Sequence, residues 1–285
     1  MRITKTRRRQ LAAWLYDHGA LPPAAKGLEE IAALERRLFA KLQQVQAGVE
    51  AEVVRQLAAR ARIPSTSWGQ RRLIRRVLDS MMGELPLILA DGAMLASNIG
   101  RRDTLAQLES LGHAVLFDDL DPVALQRLHE RVYTFSQDTL SRIEGDFAKH
   151  LGNAYRDGLG IDDAVKIIRD DFANLRHHRL ATIARTEIQG AQNEGAAATM
   201  TEYGVAYKQW LTVDDDRVRG AEPQERYDHI ELHGQVVRID EPFSNGLDHP
   251  GDRTGPIGEY INCRCRARPY IPAPDEMIVN TPYYP

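Results

Sequence analysis

The period of the apolar residues changes once along this chain, at Gly204, and that change predicts the fold class. Upstream, apolar residues recur three and four positions apart, most regularly from Leu28 to Arg62, which is typical of amphipathic helices. Downstream, Val205–Val213 alternates and is rich in β-branched and aromatic residues, as in a strand. The sequence therefore predicts an α+β protein: a mainly α-helical N-terminal region followed by a small α+β C-terminal module.

Prolines, glycines and capping residues divide the helical region. Pro64 and the following Ser and Thr predict a helix end and a new start, and Gly158 and Gly204 predict two further ends. The last helix is rich in Ala and Gly, so we expect another backbone to pack closely against it. The expected helices are 28–62, 68–82, 85–96, 104–111, 122–155, 161–172 and 175–203.

The C-terminal third has strand and turn signals. Two more strands are expected at Gln235–Ile239 and Arg264–Ile271, with a turn-rich loop over 242–256 between them. These boundaries predict three parts: a helical region over 1–174, a module over 175–270 that combines a long helix with a small β-rich part, and an extended tail over 271–285.

Composition excludes several classes of protein. The 285 residues carry a net charge of −3, without the strong positive excess of a dedicated duplex-binding domain. No apolar run approaches the roughly 18 residues of a membrane span, and we expect no secretory signal. A basic cluster near the N-terminus could contact phosphate or an acidic partner, although a solvated helix end is the commoner interpretation. It consists of Arg2, Lys5, Arg7, Arg8 and Arg9.

Both cysteines of the chain, Cys263 and Cys265, flank a single residue. On an extended segment their side chains point the same way, about 6.6 Å apart at Cα, which is the upper edge of disulfide geometry. Sharing one tetrahedral metal is easier. A structural zinc needs two more ligands, for which His229, His233 and His249 are available, and we expect His229 and His249. The alternative is a pair of reduced, buried cysteines that act as small hydrophobes.

A further histidine, His233, stands four residues after His229, so on a helical turn both rings would lie on one face. Ile230 follows the first histidine where a metalloprotease helix has Glu, which excludes that class of enzyme. An acidic turn, Asp214–Asp216, could bind a divalent cation, although such turns are more often solvated loops. An enzyme alternative therefore stays open: a metal-dependent nuclease or hydrolase that uses His229, His249 and the acidic turn.

Several spaced motifs in one order resemble the phage Mu F-like minor head, or head morphogenesis, protein family. The resemblance covers about residues 175–270 and includes Arg185, Thr186, Glu187, Trp210, Arg217 and Asn262 as motif residues. Its other parts are Asn193, Lys208, 234–237, 240–243, 249–252 and the final Cys263-Arg-Cys265. Two features depart from the family pattern: a longer segment between Arg219 and His229, and His233 where an acidic residue is commoner before the glycine.

The resemblance implies a tailed-phage structural protein without enzymatic activity. It implies the portal protein and major capsid or scaffold proteins as partners, with contact to packaged DNA as a further expectation. It also implies a location in the virion, in the capsid interior or at the portal vertex, after assembly in the host cytoplasm.

Overall fold

The computed structural model describes residues 25–60, 62–81, 84–116, 122–213, 218–220, 226–273, 276 and 278. The basic N-terminal cluster, the acidic turn Asp214–Asp216, the motif residue Arg217 and most of the predicted tail lie outside the described residues.

Long helices come first in the chain and a small sheet follows, which confirms the predicted α+β class. The helices are α1 Ala25–Ala58, α2 Ser67–Met81, α3 Glu84–Ser110, α4 Pro122–Arg156, α5 Ile161–Glu202 and the single turn α6 Ile257–Tyr260. The strands are β1 Tyr207–Leu211, β2 Val236–Arg238 and β3 Arg266–Tyr270. None of the helices in the described ranges has the length and apolar character needed to cross a membrane.

Two helices are longer than predicted. The sequence suggested separate helices over 85–96 and 104–111, and that prediction was wrong, because α3 runs through both. Gly100 does not break α3, because it lies where α5 passes closest: a Cβ there would be 2.0 Å from the carbonyl oxygen of Gln192. The predicted break between 172 and 175 was also wrong, since α5 is continuous and that stretch holds neither Gly nor Pro.

Local hydrogen bonds explain where several helices begin and end. The Thr66 side chain accepts a hydrogen bond from the Gly69 amide at the start of α2. Gly204 follows α5 with φ +64°, and the Val205 amide donates to the Met200 carbonyl at 2.9 Å. This is the Schellman pattern, in which a left-handed glycine lets the chain leave the helix axis and turn into β1.

The chain forms two compact units. The first, here called the sheet unit, comprises the described residues within 1–35, 93–128 and 185–285, and the second, the helical unit, those within 36–92 and 129–184. This grouping follows spatial contacts, and the linear division at 174 and 270 stays a prediction. In the helical unit, the buried apolar face of α1 includes Leu38, Leu42, Val49, Val53 and Leu57.

The sheet is antiparallel, with β1 in the centre of the order β2-β1-β3. Alternation on β1 places Lys208 and Trp210 on its buried face, with 2% and 0% of their surface exposed. The Trp210 indole meets the Phe243 ring edge to face at 5.1 Å. The same buried cluster contains Cys263 and Cys265, so both thiols belong to the core of the sheet unit.

Candidate metal centre

Three of the four predicted metal ligands come together in the sheet unit. His229 lies in a turn, and its backbone amide donates a hydrogen bond to the Arg219 carbonyl at 3.0 Å. Cys263 and Cys265 follow α6 and lead into β3. Between α6 and Cys263, Asn262 adopts φ +56°, a left-handed conformation that bends the chain so that both sulfurs face His229. The turn that contains His229 and the segment that leads into β3 therefore lie next to each other.

The spacing of the three ligand atoms suits a tetrahedral metal ion. His229 Nδ1 lies 3.6 Å from Cys263 Sγ and 3.5 Å from Cys265 Sγ. With Zn–S near 2.3 Å and Zn–N near 2.0–2.1 Å, tetrahedral angles place N and S about 3.6 Å apart. All three ligand atoms lie within 4.8 Å of one another, and the residues are 1–4% exposed. Soft thiolates with imidazole are a typical zinc ligand set, so these residues fit that ion.

The other edge of the His229 ring is fixed by a carboxylate. His229 Nε2 lies 2.7 Å from Glu259 Oε2, and Asn245 donates to the same oxygen at 3.0 Å. The Trp210 ring meets the imidazole edge to face at 5.3 Å. The imidazole is therefore held on its carboxylate side, on one face and on its sulfur side.

Burial and mutual hydrogen bonds shift the pKa values of all three candidate ligands. Burial lowers the pKa of His229, but the hydrogen bonds to Cys263 and Glu259 outweigh this and raise the pKa to about 9. The hydrogen bond from the Cys265 thiol holds the pKa of Cys263 well below its usual value. Burial alone would raise this pKa, and His229 lowers it further. Burial raises the pKa of Cys265 well above its usual value. Of the two thiols, Cys263 is therefore the more acidic.

The remaining histidines of the module lie in other contacts. His249 Nε2 is 3.2 Å from Glu194 Oε2, and its Nδ1 donates to the Pro250 carbonyl at 3.1 Å. His233 Nδ1 accepts a hydrogen bond from the Thr212 amide at 3.1 Å. The segment 229–234 forms turns instead of a helix, so the expectation that His229 and His233 share a helical face was wrong. Among the described residues, the ligand cluster consists of His229, Cys263 and Cys265 alone.

The motif residues at the start of the α5 segment in the sheet unit hold the cysteine loop in place. Arg185 donates to the Asn262 side-chain oxygen at 2.8 Å, and the Thr186 hydroxyl accepts a hydrogen bond from the Asn262 amide at 2.9 Å. Arg185 also contacts Glu35 at 3.4 Å. These contacts stabilise the left-handed Asn262 immediately before Cys263.

The next motif residue of α5, Glu187, fixes the loop that contains His249. Glu187, which is fully buried, pairs with Arg253. The backbones then approach closely, since a Cβ on Gly251 would lie 2.8 Å from the Gly190 Cα. Arg185 and Glu187 thus tie the helix to two different neighbours.

Asn193 joins α5 to the outer edge of the sheet. Its amide nitrogen donates to the Cys265 carbonyl at 2.9 Å, and its oxygen accepts from the Ala267 amide at 3.0 Å. The side chain thus satisfies one donor and one acceptor of an edge strand, as a neighbouring strand would. Cys265, the second cysteine of the candidate site, is therefore anchored directly to α5.

Residues 145–268 match the family model described as phage Mu protein F like protein. Over this segment the chain is similar to the phage Mu F-like family. The match covers less than half of the chain, begins within α4, upstream of the predicted start at 175, and ends within β3. The Mu F-like segment therefore contains the three clustered ligands together with the α5 residues that hold them. No curated protein and no solved structure matches the chain.

Proposed function

We propose that the protein is a non-enzymatic minor head protein that acts in phage head morphogenesis and associates with the portal. The observation that carries this proposal is the Mu F-like match over 145–268. Major capsid or scaffold proteins and packaged DNA are the further proposed partners. The proposed location is the capsid interior or portal vertex, after assembly in the host cytoplasm.

The way in which the motif residues are used supports a structural role. Thr186, Glu187 and Asn193 are buried and bind other parts of the same unit. The candidate metal ligands are themselves almost fully buried, which leaves a substrate no direct approach to the thiols or the imidazole. Polar groups that are conspicuous in the sequence are thus engaged in holding α5, the loops and β3 together.

The enzyme alternative has no comparable support. A nuclease or hydrolase that used His229 and His249 would need both histidines at one reaction centre that a substrate can reach. His229 instead faces the two cysteines, and His249 faces Glu194. The structural proposal therefore explains more of the observed contacts.

We further propose that His229, Cys263 and Cys265 hold a structural zinc ion. A bound metal would supply a cross-link between the His229 turn and the entry to β3. The small three-stranded sheet gains most from such a link, because its strands have only three to five residues each. His249 was predicted as a fourth ligand. Because its Nε2 contacts Glu194, the proposed site consists of the other three residues.

The assembly proposal is tested by co-expressing the protein with the portal protein encoded by the same phage. A stable complex is expected on affinity purification and gel filtration, with the portal of an unrelated phage as the control. The protein should also be present in purified virions. Absence from virions, together with no portal complex, would refute the proposed role.

The zinc proposal is tested by metal analysis of matched histidine variants. Wild type and His233→Gln should each retain about one zinc per chain, because His233 lies outside the cluster. His229→Gln should lose it, since three protein ligands are the least that zinc sites normally use. His249→Gln decides whether that histidine contributes. Equal zinc retention by His229→Gln and His233→Gln would exclude the proposed site.

A further inference from the structure

We infer that Glu259 is a positioning residue for the metal centre. Its carboxylate holds His229 in the tautomer and orientation that direct Nδ1 toward the two cysteine sulfurs. This inference rests on the zinc site proposed above. It assigns a role to a residue that the sequence motifs do not mark.

The tautomer follows from the hydrogen-bond partners of the two ring nitrogens. A neutral imidazole carries one N–H, and a metal ligand nitrogen must present its lone pair. Glu259 Oε2, 2.7 Å from His229 Nε2, is a hydrogen-bond acceptor and therefore places the proton on Nε2. Nδ1, which faces Cys263 Sγ and Cys265 Sγ, is left with its lone pair toward the metal position.

Glu259 is placed to orient the ring and not to bind the same ion. Its carboxylate contacts Nε2, whereas the sulfurs lie against Nδ1, on the other side of the imidazole. A carboxylate, a histidine and a metal in line form an arrangement in which the outer residue fixes the ring and raises the basicity of the ligand. Glu259 thus belongs to the support of the site.

The carboxylate is itself immobilised. Glu259 lies within the short turn α6 and is 6% exposed. The Asn245 side-chain amide donates to the same Oε2 at 3.0 Å, and the Asn245 oxygen accepts a hydrogen bond from the Leu247 amide at 3.3 Å. A chain of contacts from the 245–247 loop through Glu259 to His229 therefore sets the direction of Nδ1.

The test compares Glu259→Gln with wild type in zinc affinity and in the cobalt(II) spectrum. Competition against a chromogenic chelator should show zinc affinity reduced by about 10–100-fold, the usual effect of removing such a support. The thiolate-to-cobalt charge-transfer bands should keep the wild-type positions and intensities, because the ligand set is unchanged. Glu231→Gln removes an exposed carboxyl from a neighbouring turn and should match wild type in both measurements.

Each outcome separates this inference from the proposed zinc site. If wild type binds neither zinc nor cobalt, the zinc site fails, whatever Glu259 does. If wild type binds zinc and the zinc affinity of Glu259→Gln is within about twofold of wild type, the zinc site stands and the positioning role is refuted. A twofold change is below the roughly tenfold effect expected of such residues. A changed charge-transfer spectrum in Glu259→Gln would show that Glu259 is a ligand, which also overturns the inference.

A second variant keeps the test decisive if Glu259→Gln fails to fold, as judged by circular dichroism. Asn245→Ala removes the donor that fixes the carboxylate and leaves Glu259 in place. Zinc affinity should fall by about tenfold, at the lower end of the range for such supports. Unchanged affinity in folded Asn245→Ala would contradict the chain of contacts described above.

Discussion

Replacing Asn193 with Ala should destabilise the sheet unit. Asn193 satisfies the Cys265 carbonyl and the Ala267 amide at 2.9 and 3.0 Å, and both residues are buried. Each buried backbone group left without a partner costs about 1–3 kcal/mol. Because the shortened side chain leaves room for water near the two groups, we expect a net loss of about 2–4 kcal/mol in the free energy of unfolding.

The measurement is urea unfolding of zinc-saturated protein, combined with hydrogen exchange of individual amides. Asn193→Ala should lower the unfolding free energy by the stated amount and accelerate exchange of the Ala267 amide. The matched control is Asn153→Ala, which also removes an Asn from a long helix, but from an exposed contact with Arg156. That control should lie within about 0.5 kcal/mol of wild type.

The edge-strand explanation of Asn193 would be wrong if Asn193→Ala were as stable as Asn153→Ala and the Ala267 amide stayed protected. Such a result would mean that β3 keeps its position through β1 and the metal centre alone.

Two further predictions concern packing and pH. The hydrogen bond and charge of Glu194 outweigh burial and raise the pKa of His249, so this pair stabilises the fold below pH 6.5 and the contribution is lost as pH rises through the folded-state pKa. Urea unfolding between pH 6 and 9 should therefore show a stability difference between wild type and Glu194→Gln that shrinks with rising pH, and a constant difference would contradict the pairing. Gly195→Ala should lower the unfolding free energy by about 1–2 kcal/mol, because its Cβ would lie 2.2 Å from the Ser97 carbonyl oxygen and overpacking exceeds the helix-propensity gain. Gly145→Ala, where nothing lies within 4 Å of the added Cβ, should instead gain up to about 1 kcal/mol in the same assay, and equal effects would refute the packing argument.

The fold could be predicted from sequence where the signals were local. The apolar period gave α1, α2 and α4 to within a few residues, and alternation identified all three strands of the described sheet. The errors in α3 and α5 were breaks predicted inside continuous helices. In α3, the lack of a side chain at Gly100 allows a close approach to Gln192 of α5, a contact that no local pattern reveals.

The site shows the same distinction between local spacing and tertiary contact. The two cysteines and His229 were identifiable, because their residue types and the Cys-x-Cys spacing suit a metal. His249 was chosen by residue type and proximity in sequence, and no local pattern reveals that Glu194 of α5 faces it. Glu259 and Asn245 were missed for the same reason: an acid in a short turn and an Asn in a loop carry no signal until the fold brings them to His229.

X-ray absorption at the zinc edge tests the central claim, that the Mu F-like segment is joined by a metal ion at His229, Cys263 and Cys265. The spectrum of purified wild-type protein should fit two sulfur ligands at about 2.3 Å and at least one nitrogen ligand at about 2.0–2.1 Å. Zinc bound only by nitrogen and oxygen ligands would contradict the account. Protein that folds normally without zinc would contradict it as well.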